Sequence, residues 1–150
     1  MNFRKGFLGS FIGFGIIALV ADHLCLLYSE SASLPYHYFL KLKKVTPQKG
    51  DYTCIESPWY GHKVIKEIAG KSGDKIMYDA DGALWIGSRR IGVLQGKALD
   101  GRALTPISAG KILEGFVFLA GPHERSFDSR YQELGLVPEK ALQGRVLGLI

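Results

Sequence analysis

The sequence predicts a small, mainly antiparallel β domain behind one N-terminal transmembrane helix, and three observations predict it. Residues 7–21 form an apolar run without a charge. From residue 50 onward the chain breaks every few residues at Gly, Pro or Asp into short β-rich runs. No long stretch of that part carries helical periodicity. The 150 residues suffice for one modest domain. A content of 47% hydrophobic and 22% charged residues is ordinary for a globular core and excludes disorder as the default.

The apolar run of residues 7–21 covers about 22 Å at ~1.5 Å per residue, against a hydrocarbon core of about 30 Å. Carrying the helix through Leu24 to Tyr28 gives about 33 Å, with Asp22 and His23 near the far interface, where polar groups are tolerated. The expected organisation is therefore an anchor over residues 1–29 and a folded domain over residues 30–150. A cleaved signal peptide, with Arg4 and Lys5 at its start and Ala21 at the cut, is the rival reading, but the run is long for one. Charge does not orient the anchor. Arg4 and Lys5 favour a cytoplasmic N-terminus, whereas Lys41, Lys43 and Lys44 argue against translocation of the domain behind it.

A net charge of +5 suits an acidic partner. The basic residues are scattered apart from Lys41, Lys43 and Lys44, and neither an RNA-binding aromatic signature nor zinc-finger spacing is present. Membrane lipid is thus the expected partner for that charge, and nucleic acid is not. Cys25 and Cys54 belong to no metal motif or disulfide framework and read as buried thiols. No metal and no cofactor is implied.

The expected strands cover residues 51–56, 63–69, 75–79, 83–86, 90–94 and 114–119, with turns at residues 70–74, Asp81-Gly82 and Gly121-Pro122. Hairpins of this kind suggest a folded-over barrel.

Three segments fit one chemistry. Ser31-Ala32-Ser33-Leu34-Pro35 comes directly after the anchor, and a serine there needs a neighbouring base to become a nucleophile; alone, the segment reads more readily as a juxtamembrane linker. In the run from Val64 to Ile68, strand alternation puts Lys66 on one face between Val64 and Ile68. A general base should titrate near 7–8, so a lysine must lose about three units, roughly 4 kcal/mol, which burial can supply. The bland alternative is a lysine snorkelling from a sheet edge. In Ser126-Phe127-Asp128-Ser129-Arg130-Tyr131, Asp128 and Arg130 can pair on the same side, and Ser126 can hydrogen-bond a neutral lysine amine. Alone, that segment reads as a salt-bridged surface turn. Together the three supply nucleophile, base and orienting group without a histidine.

The order of these segments resembles signal peptidase I and its relatives, most closely the TraF-type peptidases that mature conjugative pilins. The resemblance runs from the anchor to Arg145 and rests on Ser33-Leu34-Pro35, on Gly50-Asp51 leading a strand, on Lys66 to Asp74, and on Ser126 to Tyr131 followed by Gly135, Pro138 and Gly144. It implies a signal peptidase I/LexA-like fold on the periplasmic face of a bacterial inner membrane. Ser33 would be the nucleophile and Lys66 the base; Ser31 would help hold the oxyanion, Ser126 would orient Lys66, and Asp128 and Arg130 would brace the loop. The implied substrate is a membrane-inserted precursor, either a pilin that is cleaved and cyclised or a protein bearing a signal peptide. Gly121-Pro122-His123 and Leu34 depart from the general signal peptidases, which usually carry Gly-Asp-Asn and Met there. His37 and Phe39 depart from the Gly and Tyr common in the TraF-like branch. A non-catalytic scaffold subunit of a secretion apparatus is the competing class.

His37, His62 and His123 invite a Ser–His–Asp reading, but no Gly-x-Ser-x-Gly elbow is present. Cys54 sits mid-strand and is a poor candidate nucleophile. Arg89-Arg90 reads as a charged hairpin edge. Trp59 and Trp85 read as core or interface aromatics, Trp59 with the further option of dipping into the lipid boundary.

Overall fold

Short alternating runs bounded by glycines fold as hairpins because each buries one face and hands its backbone hydrogen bonds to its neighbour. The computed structural model describes residues 21–29 and 34–149, and these form eleven strands. In chain order they begin with β1 (Leu24–Tyr28), β2 (Tyr38–Leu42), β3 (Tyr52–Ser57), β4 (His62–Lys71), β5 (Lys75–Tyr78) and β6 (Ala83–Ile86). They continue with β7 (Arg89–Val93), β8 (Gly110–Lys111), β9 (Phe116–Ala120), β10 (Val137–Pro138) and β11 (Arg145–Gly148). Seven build one sheet in the order β1-β2-β11-β3-β4-β9-β10, and four build a second in the order β7-β6-β5-β8. The class is mainly β and antiparallel, as expected. The six expected strands lie within two residues of β3, β4, β5, β6, β7 and β9.

The largest cluster of buried apolar residues joins the two sheets. Ala69, Phe118 and Ala120 from the first meet Ile76, Leu84 and Ile86 from the second, with Ile107 and Ile112 closing the side. β4 approaches the second sheet so closely that it needs a residue without a side chain. A Cβ on Gly70 would lie 2.5 Å from Ile86 Cγ2 and 2.7 Å from Ile112 Cδ1. The register of β4 against β9 slips at this point, between Ile68 and Gly70. Outside the apolar seam, Arg89 of β7 grips both carboxylate oxygens of Glu67 on β4, the longer contact being 3.0 Å. Arg89 therefore does more than charge a hairpin edge.

The expectation of a helix continuing to Tyr28 is corrected. Ala21–His23 is helical, but Leu24–Tyr28 is an edge strand paired residue by residue with β2, from Leu24↔Leu42 to Tyr28↔Tyr38. Asp22 and His23 end the helix. Asp22 pairs with Lys44, while Lys43 Nζ donates to the Ala21 carbonyl at 2.8 Å. Leu24–Tyr28 is therefore the edge strand of the first sheet. The remainder of the expected anchor, residues 1–20, lies outside the described residues. Among the described residues, no helix is long and apolar enough to cross a membrane.

One face of the β1-β2-β11 ribbon is core, with Phe39 and Val146 buried against Cys54 and Leu27. The opposite face is apolar yet exposed. Leu26, Leu40 and Leu147 share one cross-strand row, and Tyr28 pairs with Tyr38 in the next. Leu26 is 64% exposed, and Tyr28, Tyr38, Leu147 and Leu149 are exposed as well.

Gly70→Ala should cost about 1–3 kcal/mol of stability, the usual penalty for overpacking. Urea denaturation of the two proteins measures it, and an unchanged midpoint would show that the sheets separate freely at this seam.

Candidate active site

Lys66 stands on β4 opposite Thr53 of β3. Alternation places it as expected: Val64 and Ile68 join the aliphatic cluster of Ile55, Val117 and Leu119, while Ile65 enters the cluster of Phe39, Cys54 and Val146 on the other side. The side chain is 7% exposed and donates from Nζ to Ser126 Oγ at 2.7 Å. Burial disfavours the ammonium and holds the pKa below the usual lysine value. Asp128 pulls it up and Arg130 pushes it down, and both effects are smaller than burial.

Ser126 is brought to the lysine by a segment zipped along β9. Ser129 N–H donates to the Leu119 carbonyl, and the Leu119 N–H donates to Ser129 Oγ, each at 3.0 Å. Beneath lies the Asp128–Arg130 pair, both side chains fully buried. Arg130 Nε donates to Asp128 Oδ1 at 2.7 Å and Nη2 to Oδ2 at 2.8 Å. The remaining donors reach main-chain carbonyls, Nη1 to Glu124 at 2.8 Å and Nη2 to Gly121 at 3.2 Å. The pairing was legible in the spacing, but its setting was not. It is a desolvated core pair and not a surface turn.

Gly121 completes this arrangement and was missed as a site residue. Its N–H donates to Asp128 Oδ2 at 2.8 Å, and its carbonyl accepts from Arg130. Held at both ends, its bare Cα faces the lysine contact. A Cβ there would fall 2.0 Å from Ser126 Oγ and 3.3 Å from Lys66 Nζ. The only sequence signal was a Gly-Pro step after an apolar strand, which reads as an ordinary turn.

Ser31 and Ser33 lie outside the described residues. Leu34, next to Ser33, packs against the cluster of Phe39, Cys54 and Val146. Leu34 and Lys66 line one cavity of about 210 Å³, with Leu27, Cys54, Val64 and Ile65 among the other walls. The described chain thus gathers Lys66, Ser126, Asp128 and Arg130 into one network, while Leu34 packs with Ile65 and Cys54 and shares only a cavity wall with Lys66.

The other candidates go elsewhere. His37 Nδ1 is 3.2 Å from the Ser29 carbonyl, His62 Nδ1 is 3.1 Å from the Tyr60 carbonyl, and His123 Nδ1 accepts from Arg125 N–H at 3.1 Å. Each ring is engaged with nearby backbone. Cys54 is buried, and burial pushes its thiol pKa up, away from the reactive thiolate. Trp59 stacks on Phe127 with ring centroids 4.4 Å apart, and the Arg102 guanidinium lies over the Trp59 ring at 3.5 Å.

Residues 8–149 match the family model described as signal peptidase, peptidase S26. Among solved structures, a signal peptidase I from Enterococcus faecalis V583 is similar at 24% identity and a TM-score of 0.43. That alignment covers 66% of this chain and 95% of the other, and at that level it carries no argument about the site. No curated protein matches the chain.

Asp128→Ala should cost about 3–5 kcal/mol, because it leaves a guanidinium buried without its counter-charge. A chemical denaturation curve measures this, and a loss below 1 kcal/mol would mean that water reaches Arg130.

Proposed function

This chain belongs to the signal peptidase family, peptidase S26, and we propose that it is a membrane-anchored serine endopeptidase in which Ser33 attacks and Lys66 takes the proton. The observation that carries the reading is the buried amine of Lys66, hydrogen-bonded to Ser126 Oγ, on a residue that lines one cavity together with Leu34, the neighbour of Ser33.

Serine attacks a peptide carbonyl only when a base receives its proton. A neutral Lys66 can spend one N–H on Ser126 and keep its lone pair for the Ser33 hydroxyl. Ser33 Oγ then bonds to the scissile carbon, and the oxygen takes the negative charge. The Ser33 amide and the Ser31 hydroxyl are the donors for that oxyanion, a role worth about 2.7–4 kcal/mol per donor in other hydrolases. Lys66 returns the proton to the departing amine, and water or a second amine releases the acyl group from Ser33.

The anchor is read as the segment before Leu24. The apolar run of residues 7–21 leads straight into β1, where the outward rows of Leu26, Leu147, Tyr28 and Tyr38 suit the bilayer surface and Lys43 and Lys44 suit anionic headgroups. Residues 24–150 then form the extracytoplasmic domain, on the periplasmic face of a bacterial inner membrane. The substrate is a membrane-inserted precursor cut close to its apolar segment. The Ser126 to Tyr131 motif favours a conjugative pilin precursor, with ring closure as one fate of the acyl-enzyme. The family description favours removal of secretory signal peptides as the second reading. A scaffold role is disfavoured because a buried lysine costs stability, and a non-catalytic protein has no use for that cost.

Ser33→Ala and Lys66→Ala, each co-expressed with a pilin precursor, should abolish processing; a processed product with either variant sinks the dyad. The intact mass of the product, one water below the linear processed chain or not, separates ring closure from hydrolysis.

The pH dependence has a definite sign. Only the neutral amine accepts a proton, so cleavage should rise with pH through the lowered Lys66 pKa and plateau above it. Lysine binds more protons in the unfolded chain, so stability should rise over the window between the lowered folded pKa and the ordinary lysine value near 10.4. Lys66→Met should remove that slope while leaving a folded, inactive protein. A cleavage rate that is flat or falling as the pH rises through the lowered Lys66 pKa would exclude Lys66 as the base.

A further inference from the structure

A second cavity, of about 460 Å³ against about 210 Å³ for the one that Lys66 lines, adjoins the lysine site. Ser126 meets the Lys66 amine, and the next residue, Phe127, lines this second cavity. Another link runs through the turn between β3 and β4. His62, in the wall of the first cavity, stacks on Tyr60, in the wall of the second, with centroids 5.4 Å apart. Tyr60 in turn meets Phe127 edge-on at 5.7 Å. The two cavities are neighbours across one aromatic wall.

The lining sorts by chemistry. Leu104, Phe127 and Tyr131 are buried and give an apolar floor, braced from behind by the stacking of Trp59 on Phe127. The Tyr131 hydroxyl accepts from the Gln95 N–H at 3.0 Å. Lys97 and Arg125 are exposed lining residues, and neither forms an ion pair among the described residues. Asp100 does not neutralise them, because Arg102 Nε already donates to it at 2.7 Å. An apolar interior with two unpaired cations at its edge suits a peptide segment that carries an apolar or aromatic side chain beside a carboxylate.

The order of the cavities gives that segment a place in the precursor. Strand β1 contributes Leu27 and Tyr28 to the first cavity and no residue to the second. Because β1 follows the N-terminal apolar run, a precursor held by its own apolar segment arrives from the β1 side. The part that continues past Ser126 is the part after the cut. An extended chain advances about 3.3 Å per residue, so about three residues cross the two ring-to-ring steps of the wall.

We propose that this second cavity seats an apolar or aromatic side chain of the precursor about three residues after the cut, with an acidic neighbour held by Lys97 and Arg125. The inference rests on the reading of Lys66 as the base and of the segment before Leu24 as the anchor.

The test titrates the full chain in non-ionic detergent micelles, by calorimetry, with peptides that have a free amino terminus like that of the released chain. Ala-Ala-Phe-Glu-amide should bind at least about tenfold tighter than Ala-Ala-Gly-Glu-amide, because a phenylalanine side chain is buried. It should bind about fivefold tighter than Ala-Ala-Phe-Lys-amide. In the Lys97→Glu/Arg125→Glu double variant, whose altered side chains are exposed, the order of the Glu and Lys peptides should invert while the preference for Phe persists. In a pilin precursor, Phe-Glu at the third and fourth positions after the cut should lower KM by about tenfold relative to Gly-Gln, and at the seventh and eighth it should not. Equal affinities for the peptides overturn the proposal, as does a preference for Phe that micelles alone reproduce. So does a KM that ignores where the Phe-Glu pair stands. A chain that binds none of the peptides but forms a dimer, lost in the double variant, assigns the cavity to a second copy and overturns the proposal as well. Precursor processing that survives Ser33→Ala or Lys66→Ala sinks the dyad instead, and the titrations, which involve no cleavage, still decide whether the cavity holds a peptide.

Discussion

The Asp128–Arg130 pair is the constraint on which the rest of the site depends. Two opposite charges without solvent are expensive, and their attraction offsets the desolvation only when the geometry is good and the leftover donors are satisfied. Here they are satisfied. The two side chains meet through two N–H···O bonds, and Arg130 spends its other donors on the carbonyls of Glu124 and Gly121. Asp128 returns a bond to the Gly121 amide. The pair thus fixes the backbone on both flanks of Ser126, and Ser126 fixes Lys66.

That arrangement also bears on the charge of Lys66. A buried carboxylate near Lys66 would by itself favour the ammonium. Its guanidinium partner works against it, and burial, the largest influence, decides the direction. Gly121 is required for a steric reason within the same frame: its backbone is gripped by the pair, and its Cα must stay bare where Ser126 and Lys66 meet.

The first sheet serves two purposes at once. Its β3-β4-β9 part carries the lysine and the segment that orients it. Its β1-β2-β11 part turns one face inward around Phe39 and leaves the other apolar and open. Because β1 comes directly after the N-terminal apolar run, a single ladder connects the proposed membrane side to Lys66. The strand pairings run from Leu24 through Leu42, Arg145 and Thr53 to Lys66 without leaving one row.

The sequence by itself determined the antiparallel β class, six of the strands, the sharing of one face by Val64, Lys66 and Ile68, and the pairing of Asp128 with Arg130. These depend on spacing within one segment, and a strand's period of two is readable locally. It misjudged Leu24–Tyr28, because a short apolar run looks the same to a helix and to a buried strand until a partner is known. The partner, Tyr38–Leu42, is itself partnered by Arg145–Gly148 from the far end of the chain, and no local pattern announces either. Tertiary structure alone decided that the charged pair is buried, that Trp59 stacks on Phe127, and that Gly121 faces the contact of Lys66 with Ser126. A glycine's importance lies in which distant side chain occupies the space it leaves empty, and that is a property of the folded chain.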